Sequence, residues 1–215
     1  SLCGAKSVDK TIASTSQMLD LENVEWQKDI FALSGKNEKI LPPIVNCATV
    51  VGEYNGIKVI KVAGHDTQCA VSAMPCDENI TNAFLSCGTW SLIGCESDLP
   101  ILTEKSMNDE LSNELGANGK INYLKNISGL WLIQEIRRNF RADGKDYSYN
   151  DMEQLARDAK PFQFFIDPDY DLFAQPGNMP DKIADYCEKT GQGRPSTDGE
   201  LVRCIYESLA FKYKY

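Results

Sequence analysis

The sequence predicts a mixed α/β fold, in which strands and helices alternate over a shared core. Three observations carry that prediction. The run Gly56 to Ala63 (GIKVIKVA) alternates like a strand and leads directly into Gly64-His65-Asp66-Thr67. Two further strand-like runs flank Gly88-Thr89-Trp90, and the second half of the chain carries successive stretches of helical periodicity. With 215 residues, 42% of them apolar and 25% charged, the chain can bury a sizeable core and has room for one large domain or parts of two.

Taken in order, Asn23 is placed to cap a short helix whose Trp26, Ile30 and Leu33 share one face, with Gly35 as its stop. A loop follows through Pro42-Pro43. The turn Tyr54-Asn55-Gly56 opens the strand that ends near Ala63, and Gln68 to Met74 is small and apolar enough for a buried helix. The polar stretch Pro75-Cys76-Asp77-Glu78-Asn79 punctuates the chain, so a domain boundary is expected near residues 75 to 82. Beyond it, Ala83 to Cys87 and Ser91 to Cys95 read as strands.

Helices are expected over Lys125 to Phe140, Tyr149 to Lys160 and Asp181 to Lys189, the last with Pro180 at its start and Gly191 at its end. Phe162 to Ile166 reads as a strand closed by Asp167-Pro168. Thr197 and Glu200 form a capping box ahead of a final helix with Leu201, Ile205 and Leu209 on one face. That pattern is still running where the sequence stops, and Ser1-Leu2 resembles an expression scar, so both ends are expected to be cut.

The net charge of -9 opposes phosphate backbones and anionic lipid, and no Lys/Arg cluster offsets it; nucleic acid and membranes are therefore poor partners. Apolar runs such as Ile40 to Ile44 fall far short of the roughly 20 residues of a membrane span, and the expected location is cytoplasmic. Eight cysteines (Cys3, Cys47, Cys69, Cys76, Cys87, Cys95, Cys187 and Cys204) are spread singly beside one histidine. This spacing argues against a zinc site and for small buried hydrophobes.

Among residues suited to chemistry, Asp66 stands where a strand opens into a loop, the position that collects ligands in α/β sheets. A carboxylate there can accept the proton of an attacking hydroxyl, although a turn former or helix cap needs the same residue. In Ser86-Cys87-Gly88-Thr89-Trp90-Ser91 glycine allows close approach of the backbone, and Thr89 adds a hydroxyl that could face phosphate oxygens; an ordinary hairpin uses the same pattern, with Trp90 in the core either way. Gln134 falls at the edge of the apolar stripe of the helix predicted over Lys125 to Phe140, where it needs a partner, and Asn126 could cap that helix or face a substrate hydroxyl. Cys87 with His65 would be the minimum set for a thiol hydrolase, and a noncatalytic sugar- or nucleotide-binding module is a further alternative.

Three motifs in order, VAGHDTQCAV (Val62 to Val71), FLSCGTWSLIG (Phe84 to Gly94) and YLKNISGLWLIQEI (Tyr123 to Ile136), resemble the FGGY carbohydrate kinase family, in particular its branch acting on L-rhamnulose. Thr11 to Met18 and Val202 to Ala210 extend the resemblance across nearly the whole chain. It implies an incomplete ribonuclease H-like (actin-type) α/β kinase fold, with the active site in a cleft between two domains. Residues 1–78 would be the C-terminal part of the first, sugar-binding domain, and 79–215 the N-terminal part of the second, nucleotide-binding one. Asp66 would be the catalytic base, His65, Asp66, Thr67 and Asn126 would bind the sugar, and Gly88, Thr89 and Gln134 would bind ATP. The implied reaction is ATP plus L-rhamnulose giving ADP plus L-rhamnulose 1-phosphate, with Mg2+ (magnesium) bridging the phosphates and no metal-ligating residue assigned in this chain. Another ketose or polyol remains an alternative substrate. The family's glycine-rich phosphate loop and adenosine-binding segment have no counterpart in the sequence, so the chain alone is expected to be inactive.

Overall fold

Short turns between alternating runs set the architecture of the computed structural model, which describes residues 2–77 and 82–215. The chain forms two units, one of residues 1–86 and 94–125 and the other of residues 87–93 and 126–215. The boundary expected between residues 78 and 79 lies outside the described residues.

In the first unit, β1 (Val8–Asp9) leads into α1 (Lys10–Ser14). Next come β2 (Leu19–Asp20), β3 (Glu25–Trp26), α2 (Lys28–Ala32) and β4 (Ile44–Val45). β1 pairs in parallel with β4, and β2 pairs antiparallel with β3. The helix expected from Asn23 thus starts later. The Asp20 carboxylate accepts the N–H groups of Glu22 and Asn23 and the side-chain amides of Asn23 and Gln27. That turn holds the chain as a hairpin and leaves Trp26 in β3, so helix begins only at Lys28.

β5 (Thr49–Tyr54) and β6 (Ile57–Lys61) form a hairpin around Asn55 (φ 50°) and Gly56 (φ 78°). Two adjacent left-handed residues match the twist of the flanking strands, which is why asparagine and glycine occupy these places. After β6 the chain turns at Gly64-His65 into α3 (Asp66–Ser72). The buried residues of α3 are Thr67, Gln68 and Val71, so the helix expected to bury small apolar groups buries polar ones beside Val71.

β7 (Ala83–Cys87), β8 (Trp90–Ser97), α4 (Glu104–Asn108), β9 (Leu111–Leu115) and β10 (Ile121–Ser128) follow. The four strands lie in one sheet in the order β7-β8-β10-β9, with Ile121 opposite Leu115 and Lys125 opposite Leu111. Ala13, Leu19, Leu115 and Ile121 form the buried centre of the first unit.

The second unit adds α5 (Trp131–Ala142), α6 (Tyr149–Asp158), α7 (Asp171–Ala174), α8 (Met179–Lys189) and α9 (Asp198–Lys214). The helix expected from Lys125 is two elements: residues 125–128 finish β10, and helix begins after Gly129. A Cβ on Gly129 would lie 2.6 Å from Ser91 Oγ and 2.7 Å from Gly88 O, so glycine is what lets the chain turn so close to the 88–91 segment. Leu132, Ile136, Phe140, Met152, Phe173, Ile183 and Ile205 are buried in a helical core. The predicted face of α9 is buried through Leu201, Ile205 and Leu209, and the Thr197/Glu200 capping box is present.

Three further expectations fail here. Phe162 to Ile166 is not a strand. Phe162 is left-handed (φ 57°), and the hydrogen-bonding groups that a neighbouring strand would engage are met by side chains. Phe165 N–H donates to Gln192 Oε1, Gln192 Nε2 donates to Phe165 O, and Ile166 N–H donates to Ser208 Oγ. The cysteines are all free thiols, but only Cys187 and Cys204 are buried; Cys69, Cys76 and Cys87 are exposed. Trp90, expected in the core, is 60% exposed.

Candidate functional site

The Gly64-His65 turn delivers Asp66 to the first position of α3, where its side chain is exposed and its Oδ1 accepts the N–H of Thr67 at 2.8 Å. Thr67 itself is buried. His65 caps α3 in extended conformation (φ -94°, ψ 115°) without a side-chain hydrogen bond to the helix. Its Nδ1 instead lies 3.6 Å from Glu114 Oε2 on β9, beyond hydrogen-bond length, and is buried without a partner among the described residues.

Glu114 belongs to a polar layer that the sequence pattern did not reveal. Gln68 Nε2 donates to Glu114 Oε2 at 2.6 Å, and Asn122 Nδ2 donates to Gln68 Oε1. All three residues are buried. Burial pushes the Glu114 carboxyl above the ordinary glutamate range, against the opposing pull of His65 and the Gln68 amide. This buried polar network had one visible trace in sequence, the polar Gln68 within a run of small residues.

A second buried carboxylate serves the same turn. Asp9, the N-cap of α1, accepts the N–H groups of Thr11 (3.0 Å) and Ile12 (3.4 Å) and the Thr11 hydroxyl. Burial by itself would raise its carboxyl; the Thr11 hydroxyl and the N–H groups of Gly64, Ile12 and Thr11 outweigh it and hold the group below the ordinary aspartate range.

In the second unit, the Gly88-Thr89 turn is fixed by the start of α5. Leu130 N–H donates to Gly88 O (2.9 Å) and Trp131 N–H to Thr89 O (3.0 Å). This arrangement spends two of the helix's otherwise unpaired N–H groups on the turn's carbonyls. Thr89 remains exposed, and the Gln134 amide lies beside its hydroxyl, with Nε2 at 3.2 Å and Oε1 at 3.5 Å. Thr89 and Gln134, singled out separately in the sequence, therefore meet. A hydroxyl and an amide together offer both hydrogen-bond donors and acceptors at the surface of the turn. Asn126 is exposed on β10 rather than capping a helix.

Beneath the turn, Tyr213 and Ser91 hydroxyls lie 2.7 Å apart, and Cys87 Sγ lies 3.7 Å from the Tyr213 oxygen. Burial and the Cys87 thiol push the Tyr213 phenol up to about 12, against the Ser91 hydrogen bond. The neighbours of Cys87 are thus hydroxyls, and the imidazole of His65 faces Glu114. Among the described residues no group of three or more His, Cys, Asp or Glu side chains could hold a metal ion. No helix of the described residues is long and apolar enough to cross a membrane.

Comparison with known proteins agrees with the sequence motifs. The model of the C-terminal domain of the FGGY family of carbohydrate kinases matches residues 83–215, and that of the N-terminal domain matches residues 1–83. Rhamnulokinase of Bacteroides thetaiotaomicron is 38% identical over 99% of this chain and 45% of its own length. Those of Enterococcus faecalis and Bacillus subtilis are 35% and 36% identical over 98% and 99% of the chain, again 44% and 45% of their own lengths. The chain spans less than half the length of these relatives. The fold is that of solved sugar kinases: xylulose kinase from Rhodospirillum rubrum aligns with a TM-score of 0.66 over 99% of this chain and 44% of its own, at 17% identity. Xylulose kinase from Lactobacillus acidophilus aligns with a TM-score of 0.64 over 98% and 44%, also at 17% identity. With both domain models matched end to end along the sequence, the chain belongs to the FGGY family of carbohydrate kinases.

Proposed function

We propose that the protein carrying this chain transfers the γ-phosphoryl group of ATP to a terminal hydroxyl of L-rhamnulose, giving ADP and L-rhamnulose 1-phosphate in the cytoplasm during L-rhamnose breakdown. The observation that carries the reading is identity of 35–38% to curated rhamnulokinases along essentially every residue of the chain. The geometry of Asp66 supports it. One carboxylate oxygen is engaged by Thr67 N–H, which leaves the other for an incoming hydroxyl.

In this reading the sugar's hydroxyl proton passes to Asp66 as the oxygen attacks the γ-phosphorus and the bond to ADP breaks. His65, Thr67 and Asn126 would orient the sugar. Thr89 and Gln134, on the Gly88 turn, would hold the nucleotide, so that most of the rate comes from positioning. Magnesium, when bound, would offset phosphate charge. A span below half the relatives' length supports a silent isolated chain.

A coupled ADP-release assay with L-rhamnulose on the full-length protein tests this. Asp66→Asn is expected to lower kcat by about 100-fold or more. Near-wild-type turnover in that variant removes Asp66 as base, and equal activity on xylulose or glycerol removes the rhamnulose assignment.

A further inference from the structure

No side chain caps the start of α3 from the N-cap position. Its N-cap, His65, gives no side-chain cap, and Asp66 uses an oxygen on the N–H of its own neighbour. The direction of the Asp66 carboxylate is therefore set by the backbone of residues 64–66, and that backbone is held from a distance. Gly64 packs closely against the Asp9 carboxylate, and His65 N–H donates to Thr11 Oγ1 at 3.3 Å. Thr11 in turn donates its hydroxyl to Asp9. Two consecutive residues of the turn thus dock on one buried pair, Asp9 (1% exposed) and Thr11 (0%), that stands more than fifty residues earlier in the chain. The contact is close enough that a Cβ on Gly64 would lie 2.6 Å from Asp9 Oδ2.

We propose that Asp9 and Thr11 are positioning residues for Asp66. The pair does not touch substrate; it fixes the height and tilt of the turn from which Asp66 projects. This rests on Asp66 being the base. Because hydroxyl attack tolerates little displacement, a shift of about 1 Å in the turn is worth about 100-fold in rate. A charged acceptor is needed because it receives three donors while buried; a neutral amide offers one oxygen and brings two donors of its own.

The experiment combines kinetics of the full-length protein with amide hydrogen exchange of the peptide covering residues 62–72. Asp9→Asn and Thr11→Val are expected to lower kcat by about 30- to 100-fold with KM for L-rhamnulose within about threefold, and to speed exchange at residues 64–66. Thr11→Ser, which keeps the hydroxyl, is expected to restore both. In an Asp66→Asn background Asp9→Asn should cost no further rate, since there is no base left to misplace. Wild-type kcat per folded molecule in both Asp9→Asn and Thr11→Val overturns the proposal, as does unchanged exchange at residues 64–66. Should Asp66→Asn itself retain turnover, the base assignment fails, while faster exchange in Asp9→Asn would still report the docking of the turn. If Asp9→Asn does not fold, the contrast of Thr11→Val with Thr11→Ser decides.

Discussion

Glu114 and Asp9 are both buried carboxylates of the first unit, and their neighbours push them in opposite directions. Asp9 collects enough donors to remain charged at little cost, whereas Glu114 has one amide donor and an imidazole beyond hydrogen-bond length. Its carboxyl is therefore easier to protonate in the folded chain than in the unfolded one. A raised carboxyl contributes stability that is complete below the unfolded value near 4.5 and is lost as pH rises through the folded value. Glu114→Gln should accordingly gain stability relative to wild type as pH rises from 4.5 to about 7, a difference readable by urea denaturation at several pH values. An invariant difference between the two proteins across that range would mean that Glu114 titrates alike in both states. Asp66 could be found in the sequence because it ends a strand-and-glycine motif. Glu114 could not, since in sequence it is one acid among many on a predominantly acidic chain, and only folding brings it under His65.

Elements with local signals were legible and those defined by distant partners were not. The β5–β6 hairpin is written in Asn55-Gly56, and the start of α9 in Thr197 and Glu200. The end of α6, by contrast, is made by a residue of another helix. Arg203 Nη1 donates to the carbonyls of Ala156 (2.8 Å) and Ala159 (2.9 Å), while its Nε donates to Glu207 Oε1 (2.7 Å). A cation on the last carbonyls of a helix meets both their unpaired lone pairs and the helix dipole. Arg203→Ala is expected to cost about 2 kcal/mol in denaturant unfolding, and Arg203→Lys to recover only part of it, because one ammonium cannot span carbonyls and carboxylate together. Equal stability of the lysine variant and wild type would reduce the role of Arg203 to its charge. Gly199 belongs to the same crossing: a Cβ there would lie 2.6 Å from Leu155 O. A periodicity reading expects no reason for that glycine inside a helix, and the reason lies in α6. The misread stretch Lys125 to Ser128 has the same origin, since its apolar spacing suits either period and pairing with β9 decides in favour of strand for Lys125.

For the molecule as a whole, the two units carry separate buried centres. Ala13, Leu19, Leu115 and Ile121 form one, and the helical cluster around Ile136, Phe140, Met152 and Ile205 forms the other, with no residue in common. The first is small and interleaved with buried polar groups; the second is continuous and apolar. Ile205→Ala is expected to lose about 2–5 kcal/mol and to raise hydrogen exchange throughout α5, α6, α8 and α9, leaving the β5–β6 hairpin at its wild-type rate. Loss of protection in both units together would show that they unfold as one. Fold class and family were legible because motifs survive in order along the chain. The return of residues 94–125 to the first unit was not, since both of its bounds fall inside strands, β8 and β10.

The pairing of Gln192 with Phe165 matters for association as well as for folding. An extended, aromatic-rich stretch such as Phe164-Phe165-Ile166 with vacant backbone groups is a template onto which a second polypeptide can add itself. One amide side chain occupies both polar groups of Phe165, and the Ser208 hydroxyl takes the N–H of Ile166. Three of the stretch's backbone groups are therefore already taken when a stranger arrives, and two polar side chains stand where an aggregating neighbour would have to pair.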